Sequence, residues 1–279
     1  CCHCACTKGV SGSGLCIASL FVYWPLLFSS TASRNRMENK LREFCLPKPD
    51  LKHLRILLHG PVGTGKSSFI NSINNVFQGM QGALVTTDSA FSFTKKYKTH
   101  TFINGDSGYL PFVVNDVMGL EKGNSAGAQP SDIISALKGH VKDNYKFNPD
   151  SPLSVGDADY ITSPTLNDQV HCLVSVIPMD KISIMDDDVL NKMQAIREAI
   201  FMTMVDKACP VVMKDLRKIY FSKKIKEMVC LFVLGVPMNC IFPVKNYHEK
   251  TDLDQEMDCL ILTALRQIVH FAHECIDSR

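Results

Sequence analysis

Leu54-Arg55-Ile56-Leu57-Leu58-His59 runs straight into Gly60-Pro61-Val62-Gly63-Thr64-Gly65-Lys66-Ser67, and the segment from Ser68 to Phe77 follows. The first six residues form a short apolar run of the length of a buried strand. The next eight spell GxxxxGK[ST] in full. After them Phe69, Ile70, Ile73 and Val76 recur at helical spacing. Strand, glycine loop and helix in this order make a phosphate-binding unit. Glycines let the chain wrap so that successive N–H groups face an anion. The start of the helix adds the positive end of its dipole. In such a unit Gly60, Gly63, Thr64, Gly65, Lys66, Ser67 and Ser68 surround the phosphates. Lys66 reaches the β- and γ-phosphates and Ser67 ligates Mg²⁺. A plain glycine-rich turn with an exposed lysine would leave the flanking strand and helix unexplained.

Three further segments separate the classes of P-loop protein. Thr99–Ile103 and Leu110–Asn115 are strand-like runs around a turn-rich loop, which points to an antiparallel pair. An antiparallel strand beside the P-loop strand marks Ras-like GTPases. Pro111–Gly119 holds an apolar strand ending at Asp116, with glycine three residues on. This DxxG pattern gives Asp116 the role of holding Mg²⁺ through water, and the Gly119 N–H that of sensing the γ-phosphate. Thr203-Met204-Val205-Asp206 stands where guanine is read by [NT]KxD. There a carboxylate accepts from the ring N1–H and the exocyclic amine, and Asp206 supplies it. Met204 occupies the lysine position; it can pack on a flat base but carries no charge. Thr203 completes the base-side set, and the loop Pro243-Val244-Lys245-Asn246 lies over the base, with Lys245 as a contact. The threonine that closes on Mg²⁺ should precede the hairpin. Thr87 is the choice, with Thr86 and Thr94 as alternatives.

The remaining pattern fits an α/β P-loop NTPase, a Ras-like three-layer α/β/α sandwich. Its sheet is mostly parallel with one antiparallel strand. Val170–Ile177 reads as a buried strand. Asp186–Ile200 reads as an amphipathic helix with Asp186 as its N-cap, and Val189, Leu190, Met193, Ile196 and Ile200 on one face. That leaves no loop before Ile200-Phe201-Met202, so the sequence reads there as a shortened connection. Pro210 opens a helix to about Val229. Met238–Val244 is a last strand, and residues 254–276 form a closing helix. Residues 121–169 are a long insert with one short helix, Asp132–Lys138.

Whole-chain chemistry excludes several functions. Lys plus Arg is 30 and Asp plus Glu is 28 over 279 residues, which leaves no strongly basic nucleic-acid footprint. The first 36 residues hold Lys8, Arg34 and Arg36 and no acid, so residues 37–279 carry 27 basic against 28 acidic side chains. Five of the 12 cysteines fall in the first 16 residues. The rest are scattered, as reduced thiols of a cytoplasmic protein are. Cys1, Cys2, His3, Cys4 and Cys6 are metal ligands by type but too crowded for ordinary zinc spacing. The apolar run Leu15–Phe28 is shorter than the ~20 residues of a membrane helix. The domain reading is therefore a low-order segment over 1–36, a helical lead-in and linker over 37–50, and a P-loop GTPase-like domain over 51–279.

HGPVGTGKSSFINSINNVFQG, SFTKKYKTH, DVMGLE, VHCLVSVIP and GVPMNCIFPVKNYHE together resemble the interferon-induced protein 44 family, in particular its short, fish-type 44-like members. The resemblance covers about residues 38–279. It implies a GTP-binding P-loop domain, a cytoplasmic location and induction in antiviral innate immunity. Longer members carry an N-terminal TLDc domain, which nothing here resembles. The family has a lysine where Met204 stands, and an amphipathic helix end where Met228–Leu234 is apolar.

Two functional classes compete. One is a GTP-binding protein that switches, with slow hydrolysis at most. The place after DxxG, where a glutamine often orients water, holds Leu120, followed by Glu121. The other is a non-hydrolysing module that holds nucleotide for stability and works through protein partners. An ATP-using nucleotide kinase is disfavoured, because no arginine-rich lid follows the P-loop. The basic stretch Lys214–Lys226 reads as a solvated face.

Overall fold

The computed structural model describes residues 31–79, 95–122, 127–194, 199–231, 240–247 and 252–278. Six strands make one sheet: β1 (Leu54–His59), β2 (Lys98–His100), β3 (Phe112–Asp116), β4 (Cys172–Pro178), β5 (Ala199–Thr203) and β6 (Ile241–Pro243). Their spatial order is β2-β3-β1-β4-β5-β6. Among the described strands only the β2–β3 pair is antiparallel, with Lys98 opposite Asp116. β1 sits between β3 and β4 in parallel register. The fold is the expected mostly parallel α/β P-loop architecture.

β3, β4 and β5 are buried at every position. A strand buried on both faces needs helices on both. The helices are α1 (Thr31–Arg42), α2 (Lys66–Gln78), α3 (Pro130–Leu137), α4 (Asp187–Gln194), α5 (Val205–Ala208), α6 (Pro210–Lys214), α7 (Lys223–Leu231) and α8 (Gln255–Asp277). From β1 the sheet grows in both directions, so right-handed crossovers send helices to opposite faces. α8 packs on α1, α2, β1 and β4, forming one layer. Within it Phe69 of α2 meets Phe201 of β5, ring centroids 4.6 Å apart, both rings buried. Removing such a ring costs about 3–5 kcal/mol. α8 is the one described helix with the length and apolarity of a membrane span. Its apolar residues, Leu260, Ile261, Leu265 and Ile268 among them, lie in the core.

Three expectations change. α1 is described from Thr31, so the boundary at residue 37 cuts through a helix whose Met37 and Leu41 are buried. Residues 1–30, with the cysteine cluster and the Leu15–Phe28 run, lie outside the described residues. α4 is described to Gln194 and β5 from Ala199, so Ile200 is strand rather than helix. Residues 195–198 between them lie outside the described residues. The helix expected from Pro210 to Val229 is broken. Asp215 is extended and its carboxylate accepts from Arg217 N–H, which starts a 3₁₀ turn over Leu216–Lys218.

Candidate nucleotide site

The glycine loop joins β1 to α2 at the C-terminal edge of the sheet, where parallel α/β folds bind ligands. Gly60 has φ +142°, and a Cβ there would lie 2.3 Å from the Val176 carbonyl oxygen of β4. Only glycine passes. Lys66, 7% exposed, donates from Nζ to the carbonyls of Gly60 and Pro61, each at 3.0 Å. The loop is thus wound around its own ammonium group. Thr64 is fully buried and its hydroxyl donates to Pro61 O at 3.1 Å, so its service to an anion is through its backbone. Gly63 and Gly65 hold positive φ, and Gly65 caps α2. The Ser68 carbonyl accepts from the Ser72 hydroxyl.

Burial pushes the Lys66 ammonium down to about 8, with the Asp116 carboxylate pulling the other way. Directly beneath, His59 is fully buried and pushed down to about 3 by burial and by Lys66, so it is neutral. Its Nε2 lies 2.5 Å from Ser175 Oγ, its register partner on β4. Neither residue is marked by a motif. The sequence signal is Ser175 itself, a polar residue inside Leu173–Ile177.

Ser67 Oγ donates to Asp116 Oδ2 at 3.0 Å. β3 and the first turn of α2 thus bring together two hard oxygen donors, the chemistry Mg²⁺ selects. Asp116 is fully buried at the end of β3. Both expected metal residues fit that ion. Thr87, Thr86 and Thr94 lie outside the described residues.

The DxxG segment crosses the P-loop. A Cβ on Gly119 would meet Val62 Cγ2 at 2.6 Å, so glycine lets the two loops touch. Leu120 N donates to Gly60 O at 3.0 Å, and Val62 N donates to Leu120 O at 3.3 Å. Leu120 is 1% exposed and packs in the core.

On the base side, Lys245 Nζ lies 3.6 Å from Asp206 Oδ2, so the two expected contacts face each other. Met204 between β5 and α5 has φ +55°, a left-handed conformation rare for a residue with a Cβ. That turn swings Asp206 toward Lys245. Thr203 differs from its expected role. Its buried hydroxyl lies 2.7 Å from Thr64 O and 3.1 Å from Ile177 O, bracing the P-loop rather than facing a base. Asn246 adds a second brace, Nδ2 to Gly65 O at 3.0 Å. Its Oδ1 is buried without a partner among the described residues.

No family model matches the chain. Human interferon-induced protein 44-like is 33% identical over 258 residues, 88% of this chain and 57% of that protein. Human interferon-induced protein 44 is 33% identical over 241 residues, 81% of this chain and 54% of that protein. The mouse protein of the same name is 33% identical over 246 residues, at 83% and 58%. The chain belongs to the interferon-induced protein 44 family. It spans little more than half the length of these interferon-induced protein 44 relatives. Among solved structures, Toc33 from Arabidopsis thaliana in complex with Mg²⁺ and GMPPNP aligns at 13% identity and TM-score 0.43, covering 91% of this chain and 97% of that one. That likeness is too loose to bear on this chain.

Proposed function

We propose that this chain binds guanine nucleotide, GTP and GDP, with Mg²⁺, as an interferon-induced protein of the cytoplasmic innate antiviral response. It hydrolyses GTP slowly or not at all. The observation that carries the reading is the Lys66-wrapped loop with Ser67 and Asp116 3.0 Å apart beside it. The backbone N–H groups and Lys66 bind the phosphates. Ser67 and Asp116 hold Mg²⁺, which when bound neutralises phosphate charge. Asp206 next to Lys245 supports guanine over adenine, since adenine offers no N1–H to a carboxylate. The names of the relatives support interferon induction. Cys172, Cys209, Cys240, Cys259 and Cys275 are scattered through the buried residues, as structural thiols are, which supports a reducing compartment. The near-neutral charge supports protein partners rather than nucleic acid.

Burial of Leu120 favours a second reading: a nucleotide-stabilised interaction module acting through protein partners. Single-turnover phosphate release from GTP-loaded chain separates the two. A measurable burst supports a slow GTPase. Bound, intact GTP after hours supports the module. Failure to load any guanine nucleotide refutes both.

A further inference from the structure

We infer that Tyr247, held by Asp258 and Arg34, is a positioning residue for the base-side loop 244–247, so that helix α1 sets how long nucleotide stays bound. The inference rests on the guanine-nucleotide reading above.

The loop is fixed at its start by the β5–β6 ladder, where Val244 N donates to Met202 O at 2.8 Å. β6 is only three residues long, so the far end needs its own anchor. Tyr247 provides it twice. Its N–H donates to Ser72 Oγ of α2 at 2.9 Å. Its hydroxyl accepts from Asp254 N at 2.7 Å and donates to Asp258 Oδ1 of α8 at 2.7 Å. Asp258 is 4% exposed, and a buried carboxylate persists as an anion only with partners. Burial already pushes its carboxyl up, against the pull of Tyr247 and Arg34. The partner charge comes from α1: Arg34 Nε donates to Asp258 Oδ2 at 3.0 Å. Arg34 is itself fixed, donating to Val76 O at the end of α2 at 3.0 Å and pairing with Glu38.

The chain of contacts therefore runs from α1 to α8 to the loop. One residue before Tyr247, Asn246 grips the Gly65 carbonyl of the phosphate loop. Without Arg34, the Asp258 charge loses its compensation and the Tyr247 hydroxyl loses a firm acceptor. The loop's far end is then free to lift Asn246 and Lys245 from the site.

The test uses the full chain and the variants Arg34→Ala and Tyr247→Phe, loaded with a fluorescent GDP. Each should speed GDP release about tenfold, the loss of one charge-assisted buried hydrogen bond. The double variant should release no faster than the quicker single, because both break one chain of contacts. Arg34→Lys should restore most of the slow release. Leu153→Ala, which opens the core in the insert, should lower the melting temperature while leaving release within about twofold. In parallel, hydrogen exchange on nucleotide-free chain should show amides 244–247 losing protection in both variants, with 54–59 unchanged. Unchanged release with unchanged loop protection overturns the inference. So does an equal acceleration in Leu153→Ala. If wild type binds no GDP, the nucleotide reading falls, and the exchange data alone decide whether Arg34 holds the loop.

Discussion

The phosphate side and the base side of this site are built by different means. On the phosphate side, the contacts span a few residues: Lys66 to Gly60 and Pro61, Thr64 to Pro61. An anion is read by backbone N–H groups and one ammonium, all carried by eight contiguous residues. On the base side, Asp206 and Lys245 follow different strands, β5 and β6, and Asn246 reaches 181 positions back to Gly65. A base is read by side chains, whose placement depends on tertiary contacts. The comparison teaches that the phosphate side is set mainly by local chain geometry, and the base side by tertiary placement.

The strongest break is on the phosphate side. Lys66→Ala should weaken GTP and GDP by at least about 100-fold, since one charge-assisted contact to a polyphosphate is lost in a desolvated site. Equilibrium titration checks it, and unchanged affinity would refute the P-loop assignment. On the base side, Asp206→Ala should cost GDP roughly 30-fold while leaving ADP affinity nearly as it was, because only guanine donates to that carboxylate. Equal losses for both nucleotides would show that Asp206 supports the fold instead of reading the base.

Which parts were legible in the sequence follows from the same contrast. The P-loop, Asp116 and Gly119 stand where expected because backbone geometry forces particular residue types at fixed spacing. The sheet, with its single antiparallel pair, was legible for a related reason, as apolar runs of strand length are local. Ile200 was not. It falls on the helical face of Val189 and Met193 by spacing, and on β5 by burial, and periodicity cannot separate the two. Thr203 misled because a motif position gives residue type but not the direction of a hydroxyl. That α1 runs across residue 37 was hidden as well. Its residues 31–36 carry little apolar signal; there Arg34 pairs with Asp258, while further on Arg42 donates to the Phe77 carbonyl beside buried Met37 and Leu41. Tyr247 and Asp258 carry no sequence signal at all.

Smaller effects sharpen the comparison. Lys66 loses its proton near pH 8 in the empty site, well below the usual lysine range, through burial. Phosphate favours the charged form, so GDP affinity should be flat below pH 8. Above it, affinity should fall by about tenfold per unit until the raised pKa of the complex is reached. Stability of the empty chain should move the other way, since the unfolded state binds the extra proton between about 8 and 10.5. A flat affinity profile from pH 7 to 9.5 would place Lys66 away from the phosphates. Smallest of all, Leu120→Gln should leave phosphate release within about twofold. The side chain is buried and its backbone is pinned to Gly60 and Val62, so a glutamine there gains no access to water. A tenfold rise in single-turnover release would show that the segment swings outward.

The central claim is that this site takes a guanine nucleotide. Calorimetric titration of the nucleotide-free chain with GDP and with ADP, each with Mg²⁺, tests it most directly. The account predicts GDP binding with ADP weaker by about 30-fold or more, set by the Asp206 carboxylate. ADP binding as tightly as GDP, or no heat from either, would contradict it.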